Sequence, residues 1–241
     1  GKAVGPTGKV YGADIQPGML DLLARNVANA KLDNVVPVLS AGDFGTLPYF
    51  IMPFIEGESL RTRMQRGPLS VREAVSIFKD VARALAFAHG RGIIHRDIKP
   101  DNVLLAAGAA VVTDFGVAKA ISASRQSGSQ AASGTMTGVG TSLGTPAYMA
   151  PEQAAADPAT DHRADLYALG CVTYEMLSAQ PVFAGRAPRA LAAAHMTEPP
   201  DDILRRRPGL PPALAVLVMR LLEKRPADRP QSAAAICFGC P

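Results

Sequence analysis

Cysteine is scarce in this sequence, long apolar runs are absent, and neither sign of charge dominates. Three cysteines in 241 residues are too few for a disulfide framework, which points to a reducing, cytoplasmic setting. Cys237 and Cys240 form one C-x-x-C pair. A structural zinc site takes four ligands, and only Cys171 remains as a third cysteine, so the pair reads as free thiols in a tail, 237–241. The longest apolar run, ALAVLVM at 213–219, falls far short of the roughly 20 residues of a membrane span. The formal charge is only +4. Its Arg-rich patches, such as RRRPGL at 205–210, lack the interleaved aromatics and basic stripe of a nucleic-acid reader, so no nucleic-acid partner is expected. They read as a solvated face or an anchor for one acidic partner. No signal peptide opens the chain, and a start on Gly1 rather than Met leads to the expectation of a fragment.

What is present is a foldable composition. Hydrophobic residues make up 48% and charged residues 19%, enough to build a core and outside the disordered class. In residues 1–34, a short apolar stretch KVYGAD precedes Met19, Leu22, Leu23 and Val27 at helical spacing, a strand–turn–helix unit. Two strand-like runs follow, 35–40 and 48–55, joined by the turn AGDFGTL. From about Val71 the pattern is helical. Ser70 and Glu73 make a capping box ahead of a helix closed by Gly90 and Gly92, and further helices are predicted at 161–178, 187–196, 211–224 and 231–236. In 121–145, 15 of 25 residues are Ser, Thr or Gly; such a stretch buries too little to offset its ordering entropy and is expected to be a mobile loop. Few strands ahead of many helices predict an α+β fold.

The chemistry sits in four short motifs. HRDIKPDN at 95–102 is followed by DFG at 114–116, APE at 150–152 and DHRADLYALGCVTYEML at 161–177. Their order and spacing resemble those of serine/threonine protein kinases, in particular the bacterial eukaryotic-type subfamily, over about 35–236. The resemblance implies a kinase-like fold with a mostly helical lobe and a truncated sheet lobe, and an ATP-dependent transfer to Ser or Thr of a protein substrate. Phosphoryl transfer is mainly positioning and charge neutralisation. On that reading Asp97 orients the substrate hydroxyl and accepts its proton, and Lys99 places a positive charge near the transferred group. Asn102 and Asp114 supply oxygen ligands suited to Mg²⁺. His95 and Phe115 are expected to pack rather than react, and Asp101 to be a surface carboxylate.

Other roles also follow from the resemblance. YFIMPFIEGESL at 49–60 resembles the strand and hinge that meet adenine, with Met52 as gatekeeper, the backbone of Pro53 and Ile55 facing the base, and Leu104 as the pocket floor. Pro53 offers a carbonyl but no N–H. Arg96 would pair with a phosphate on 121–145, at Thr135 or Thr137 first, then Thr141 or Ser142. Thr145 would contact Asp97 and Lys99. Glu152 and Arg229 resemble a buried ion pair, and Asp165 a brace for the catalytic loop.

The resemblance is incomplete at the N-terminal side. A kinase also needs a Gly-rich strand pair, a strand lysine and a helix glutamate, and none fits in the 34 residues ahead of Val35. VGPTGKVYGAD at 4–14 reproduces half of a Gly-rich loop, and Lys31 could pass for the strand lysine, but 20–31 reads as helix. The same residues resemble the second strand and helix of a class I S-adenosylmethionine methyltransferase, with Asp14 at the strand end; the cofactor loop that should precede it is missing. Little phosphotransfer is therefore expected from these 241 residues alone. A catalytically silent docking module and a methyltransferase fragment stand as the alternatives.

Overall fold

The computed structural model describes residues 40–44, 47–51, 55–115 and 146–237. The expectations for 1–39, Met52, Pro53, the 121–145 segment with its candidate phosphate acceptors, Thr145 and Cys240 lie outside the described residues.

Strands β1 (Ser40–Phe44) and β2 (Leu47–Ile51) form an antiparallel ribbon with Ser40 opposite Ile51 and Phe44 opposite Leu47. This corrects the expected turn at 41–47. Cross-strand backbone pairing overrides the turn propensity of Gly42 and Asp43. The chain then enters β3 (Glu58–Ser59) and helix α1 (Leu60–Gln65), where the Ser59 hydroxyl accepts from the Thr62 N–H at 3.1 Å.

Helix α2 (Val71–His89) starts where expected, with the Ser70 hydroxyl accepting from the Glu73 N–H at 3.1 Å. The reciprocal half of the capping box does not form. Glu73 turns instead to Arg63 and takes two hydrogen bonds of 2.8 Å from its guanidinium, tying α1 to α2. The apolar face of α2 buries Ile77, Phe78, Val81 and Leu85.

Inside the segment expected to be helical lies a short hairpin, β4 (Val103–Ala106) and β5 (Ala109–Val112), which joins β3 in an antiparallel sheet ordered β3-β4-β5. Its two-residue turn is Ala107-Gly108, with φ of 48° and 81°, the left-handed pair that matches strand twist. Val103 is buried in the core, while its neighbour Leu104 is half-buried on the other side of the pleat.

The remaining helices are α3 (Pro151–Ala154), α4 (Arg163–Ser178), α5 (Pro188–Thr197), α6 (Ile203–Arg206), α7 (Pro212–Leu221) and α8 (Ala233–Cys237). The architecture is the expected α+β, a helical body with small sheets. Among the described residues no helix is long and apolar enough to cross a membrane. The Arg-rich patch is partly internal: Arg207 donates to the Leu69 and Leu177 carbonyls at 2.9 and 3.1 Å, and Arg206 pairs with Asp201 at 2.7 Å.

Helix α4 is buried on all sides from Ala164 to Leu177, which marks the centre of the core. It meets α7 at Gly170, where an added Cβ would lie 2.8 Å from the Leu221 Cβ and 3.3 Å from its carbonyl carbon. Gly170→Ala gains about 1 kcal/mol of helix propensity but overpacks a contact that cannot yield, at about 1–3 kcal/mol. A net loss of stability in urea unfolding is expected; a net gain would show that α4 and α7 are loosely packed.

Candidate active site

The loop 95–102 is built on three anchors. His95, almost fully buried, sets its ring between two backbone groups. Nε2 faces the Thr113 carbonyl at 2.8 Å and must donate, while Nδ1 accepts from the Asp97 N–H at 3.2 Å. Both ring nitrogens are engaged in one neutral tautomer, and the ring lies 4.7 Å from that of Phe115. The packing role expected of His95 and Phe115 is what the geometry displays.

Asp165, at the start of α4, is the second anchor. Its carboxylate accepts from the His95 N–H at 2.9 Å, the Arg96 N–H at 2.7 Å and His89 Nε2 at 2.8 Å. These bonds hold Arg96 at φ 70°, a left-handed conformation costly for a side-chain-bearing residue and typical of sites where surrounding structure imposes it.

The hairpin is the third anchor. Val103 pairs with Val112, so the residues just outside the pair, Asn102 and Thr113, are neighbours: the Thr113 N–H and hydroxyl reach the Asn102 carbonyl at 2.9 and 3.3 Å. Asp114 follows directly and is therefore delivered to the same end of the hairpin as Asn102. It is exposed and also left-handed, at φ 63°.

Within this frame Asp97 Oδ2 accepts from Lys99 Nζ at 2.7 Å and from Asn102 Nδ2 at 3.1 Å. Asn102 Nδ2 also donates to the Asp97 carbonyl at 2.8 Å. Among the described residues, Asp97 Oδ1, Asn102 Oδ1 and the Asp114 carboxylate take no hydrogen bond. Oxygen acceptors left open at a shared loop end suit a hard divalent cation that keeps phosphate and water in its shell. No group of three or more His, Cys, Asp or Glu among the described residues could hold a metal unaided. Ile55 and Leu104 are half-buried, Leu104 on β4 between Ser59 and Val111. Asp101, expected at the surface, is half-exposed and meets Arg61 at 3.5 Å.

Residues 146–154 are tied to this loop by Gln153, whose Nε2 donates to the Arg96 carbonyl at 2.9 Å, and to the helical body by two charge networks. Arg229, fully buried, makes a two-pronged pair with Glu152 at 2.6 and 2.8 Å and donates to the Arg163, Glu223 and Lys224 carbonyls. Tyr148 donates to Glu175 at 2.5 Å and meets Arg61, which also pairs with Glu175 at 2.8 Å. Burial and the Glu175 carboxylate push the Tyr148 hydroxyl up, so it stays protonated. Burial opposes the Arg61 charge, but Tyr148 and Glu175 outweigh it and hold the guanidinium protonated. Arg61 and Gln153 reach this loop, at Asp101 and the Arg96 carbonyl, while His89 and Tyr148 bond its supports Asp165, Arg61 and Glu175, contacts that the motifs did not announce.

Behind the same segment His195 is fully buried, its Nδ1 at 2.9 Å from the Tyr167 hydroxyl. Burial, then the nearby Lys224 charge, pushes it down to about 4. Burial likewise pushes Lys224 down to about 8.

The sequence matches the family described as "Protein kinase domain" over residues 24–237. It is 39% identical over 217 residues to the serine/threonine-protein kinase PknB of Mycobacterium tuberculosis, covering 88% of this chain and 33% of that protein. To the probable serine/threonine-protein kinase CPE1738 of Clostridium perfringens it is 38% identical over 218 residues, covering 88% of this chain and 30% of that protein. To PknD of Mycobacterium tuberculosis it is 38% identical over 208 residues, with shares of 85% and 30%. The chain thus spans about a third of the length of these relatives.

His195 generates a pH dependence. Its folded value of about 4 lies below the ordinary 6.5, so the unfolded chain binds the extra proton across that window. The stabilisation is fully present above pH 6.5 and is lost as pH falls toward 4, up to about 3 kcal/mol. His195→Phe is expected to flatten this part of a stability–pH curve from urea unfolding. Equal slopes in the two proteins would show that His195 does not titrate in this way.

Proposed function

Because the chain belongs to the protein kinase family, we propose that it forms the catalytic body of a serine/threonine kinase, moving the γ-phosphoryl group of ATP to a protein Ser or Thr hydroxyl. The observation that carries this reading is the arrangement at Asp97. One carboxylate oxygen is fixed by Lys99 and Asn102, which aims the other, unpaired among the described residues, as a proton acceptor. Lys99 remains beside it as a positive charge for the transferring group. Asn102 and Asp114 would hold Mg²⁺, which when bound neutralises triphosphate charge. Ile55 and Leu104, with Met52 and Pro53, would line the adenine site.

The finer assignments follow the same reading: residues 35–236 as the kinase unit, Arg96 as the partner of a phosphate on 121–145, and a cytoplasmic location. For residues 1–34 the likeness to a methyltransferase strand and helix carries no function. No motif completes a cofactor site around Asp14, and the kinase-family match already begins at residue 24.

The Gly-rich loop, strand lysine and helix glutamate cover and position the phosphates in such enzymes. Their loss is worth several kcal/mol of transition-state stabilisation, at about 1.4 kcal/mol per tenfold in rate. Phosphotransfer by the 241-residue polypeptide is accordingly expected to be weak, and replacing 1–34 with a complete sheet lobe from a relative should restore it. In that restored form Asp97→Asn is expected to lower kcat about 10²- to 10⁴-fold with ATP binding retained. Undiminished turnover in that variant would remove Asp97 from the reaction.

A further inference from the structure

Gln153 is half-buried on α3, immediately after the Glu152 of the buried ion pair. Its side-chain amide spans two loops. Oε1 accepts from the Ala150 N–H at 3.1 Å, and Nε2 donates to the Arg96 carbonyl at 2.9 Å. Only one orientation of the amide satisfies both partners, because one is a donor and the other an acceptor. Ala150 has no side-chain oxygen, so the bond from its N–H is the one cap of this kind that α3 can have.

The Arg96 end matters more. Arg96 is left-handed at φ 70°, with its N–H on Asp165 and its carbonyl on Gln153. That carbonyl belongs to the peptide group leading into Asp97, and the N–H of the same peptide donates to His95 Nδ1. The peptide plane ahead of the proposed base is thus pinned at its oxygen by Gln153 and at its nitrogen by His95. Releasing the oxygen frees a strained backbone to turn, and the Asp97 carboxylate turns with it.

We propose that Gln153 is a positioning residue that couples the seating of the 146–154 segment to the orientation of Asp97. The geometry of the coupling stands by itself, and its catalytic meaning rests on the kinase reading above. A glutamate here would keep the acceptor for Ala150 but present an anion to the Arg96 carbonyl, so Gln153→Glu separates the two bonds.

The test is residue-resolved amide exchange on the 241-residue chain as wild type, Gln153→Ala and Gln153→Glu. Both variants are expected to speed exchange of the Arg96 and Asp97 amides at least tenfold while α4 keeps its protection. In Gln153→Glu the Ala150 amide should remain protected. Unchanged exchange at 96 and 97 in both variants, or rescue of these amides by Gln153→Glu, would overturn the proposal, the latter reducing Gln153 to a helix cap. Uniformly faster exchange through α4 would also overturn it, as a general loss of stability. In the restored-lobe form kcat should fall about tenfold or more in both variants with KM for ATP unchanged. If that wild-type form does not phosphorylate protein, the kinase reading fails while the exchange data still decide the coupling.

Discussion

The Asp165 carboxylate, buried at the head of α4, is the constraint on which the site depends. It replaces water for two backbone N–H groups, of His95 and Arg96, and for the imidazole of His89. A buried ion is tolerated only when its lone pairs are satisfied, and here the groups that satisfy it are those that shape the 95–102 loop. The electrostatic need of one side chain and the conformation of a strained loop are met by the same three bonds. Since α4 is the most enclosed element of the body, the loop inherits the rigidity of the core.

From this anchor the site is assembled by short links. His95 fixes the Asp97 N–H and the Thr113 carbonyl; the β4–β5 hairpin brings Asn102 and Asp114 to one end; Asn102 and Lys99 turn the Asp97 carboxylate. The opposite wall depends on two internal charge networks, Glu152–Arg229 and Arg61–Tyr148–Glu175. Removing one partner of the buried Glu152–Arg229 pair leaves an uncompensated charge, a loss of about 3–5 kcal/mol. These networks therefore act as fixed supports for the residues around Tyr148 and Glu152.

The candidate site residues were legible because they lie within short motifs whose chemistry is local. HRDIKPDN and DFG point to Asp97, Lys99, Asn102 and Asp114 through their resemblance to the kinase motifs, and the long helices were legible from period and caps. The strand pair in VLLAAGAAVV was not, because two four-residue strands rich in alanine carry little alternation and owe their form to cross-strand pairing. The strand at Ser40–Phe44 was hidden for the same reason, its Gly42 and Asp43 reading as a turn. His89, Arg61 and Gln153 were hidden because their partners lie 57 to 114 residues away in sequence. The Glu73 side chain chose Arg63 over the cap, a tertiary contact that no local rule contains.

The central claim is that Asp165 holds a loop made to meet Mg-ATP. It is tested most directly by thermal unfolding of the 241-residue chain and of its Asp165→Asn variant, each with ATP and with and without Mg²⁺. The amide of Asn would turn a donor toward at least one N–H that now finds an acceptor. The account predicts a Mg²⁺-dependent rise in Tm for the wild-type chain that is lost in the variant, with the far-UV spectrum of the helical body retained. An equal rise in both proteins, or none in the wild type, would contradict it.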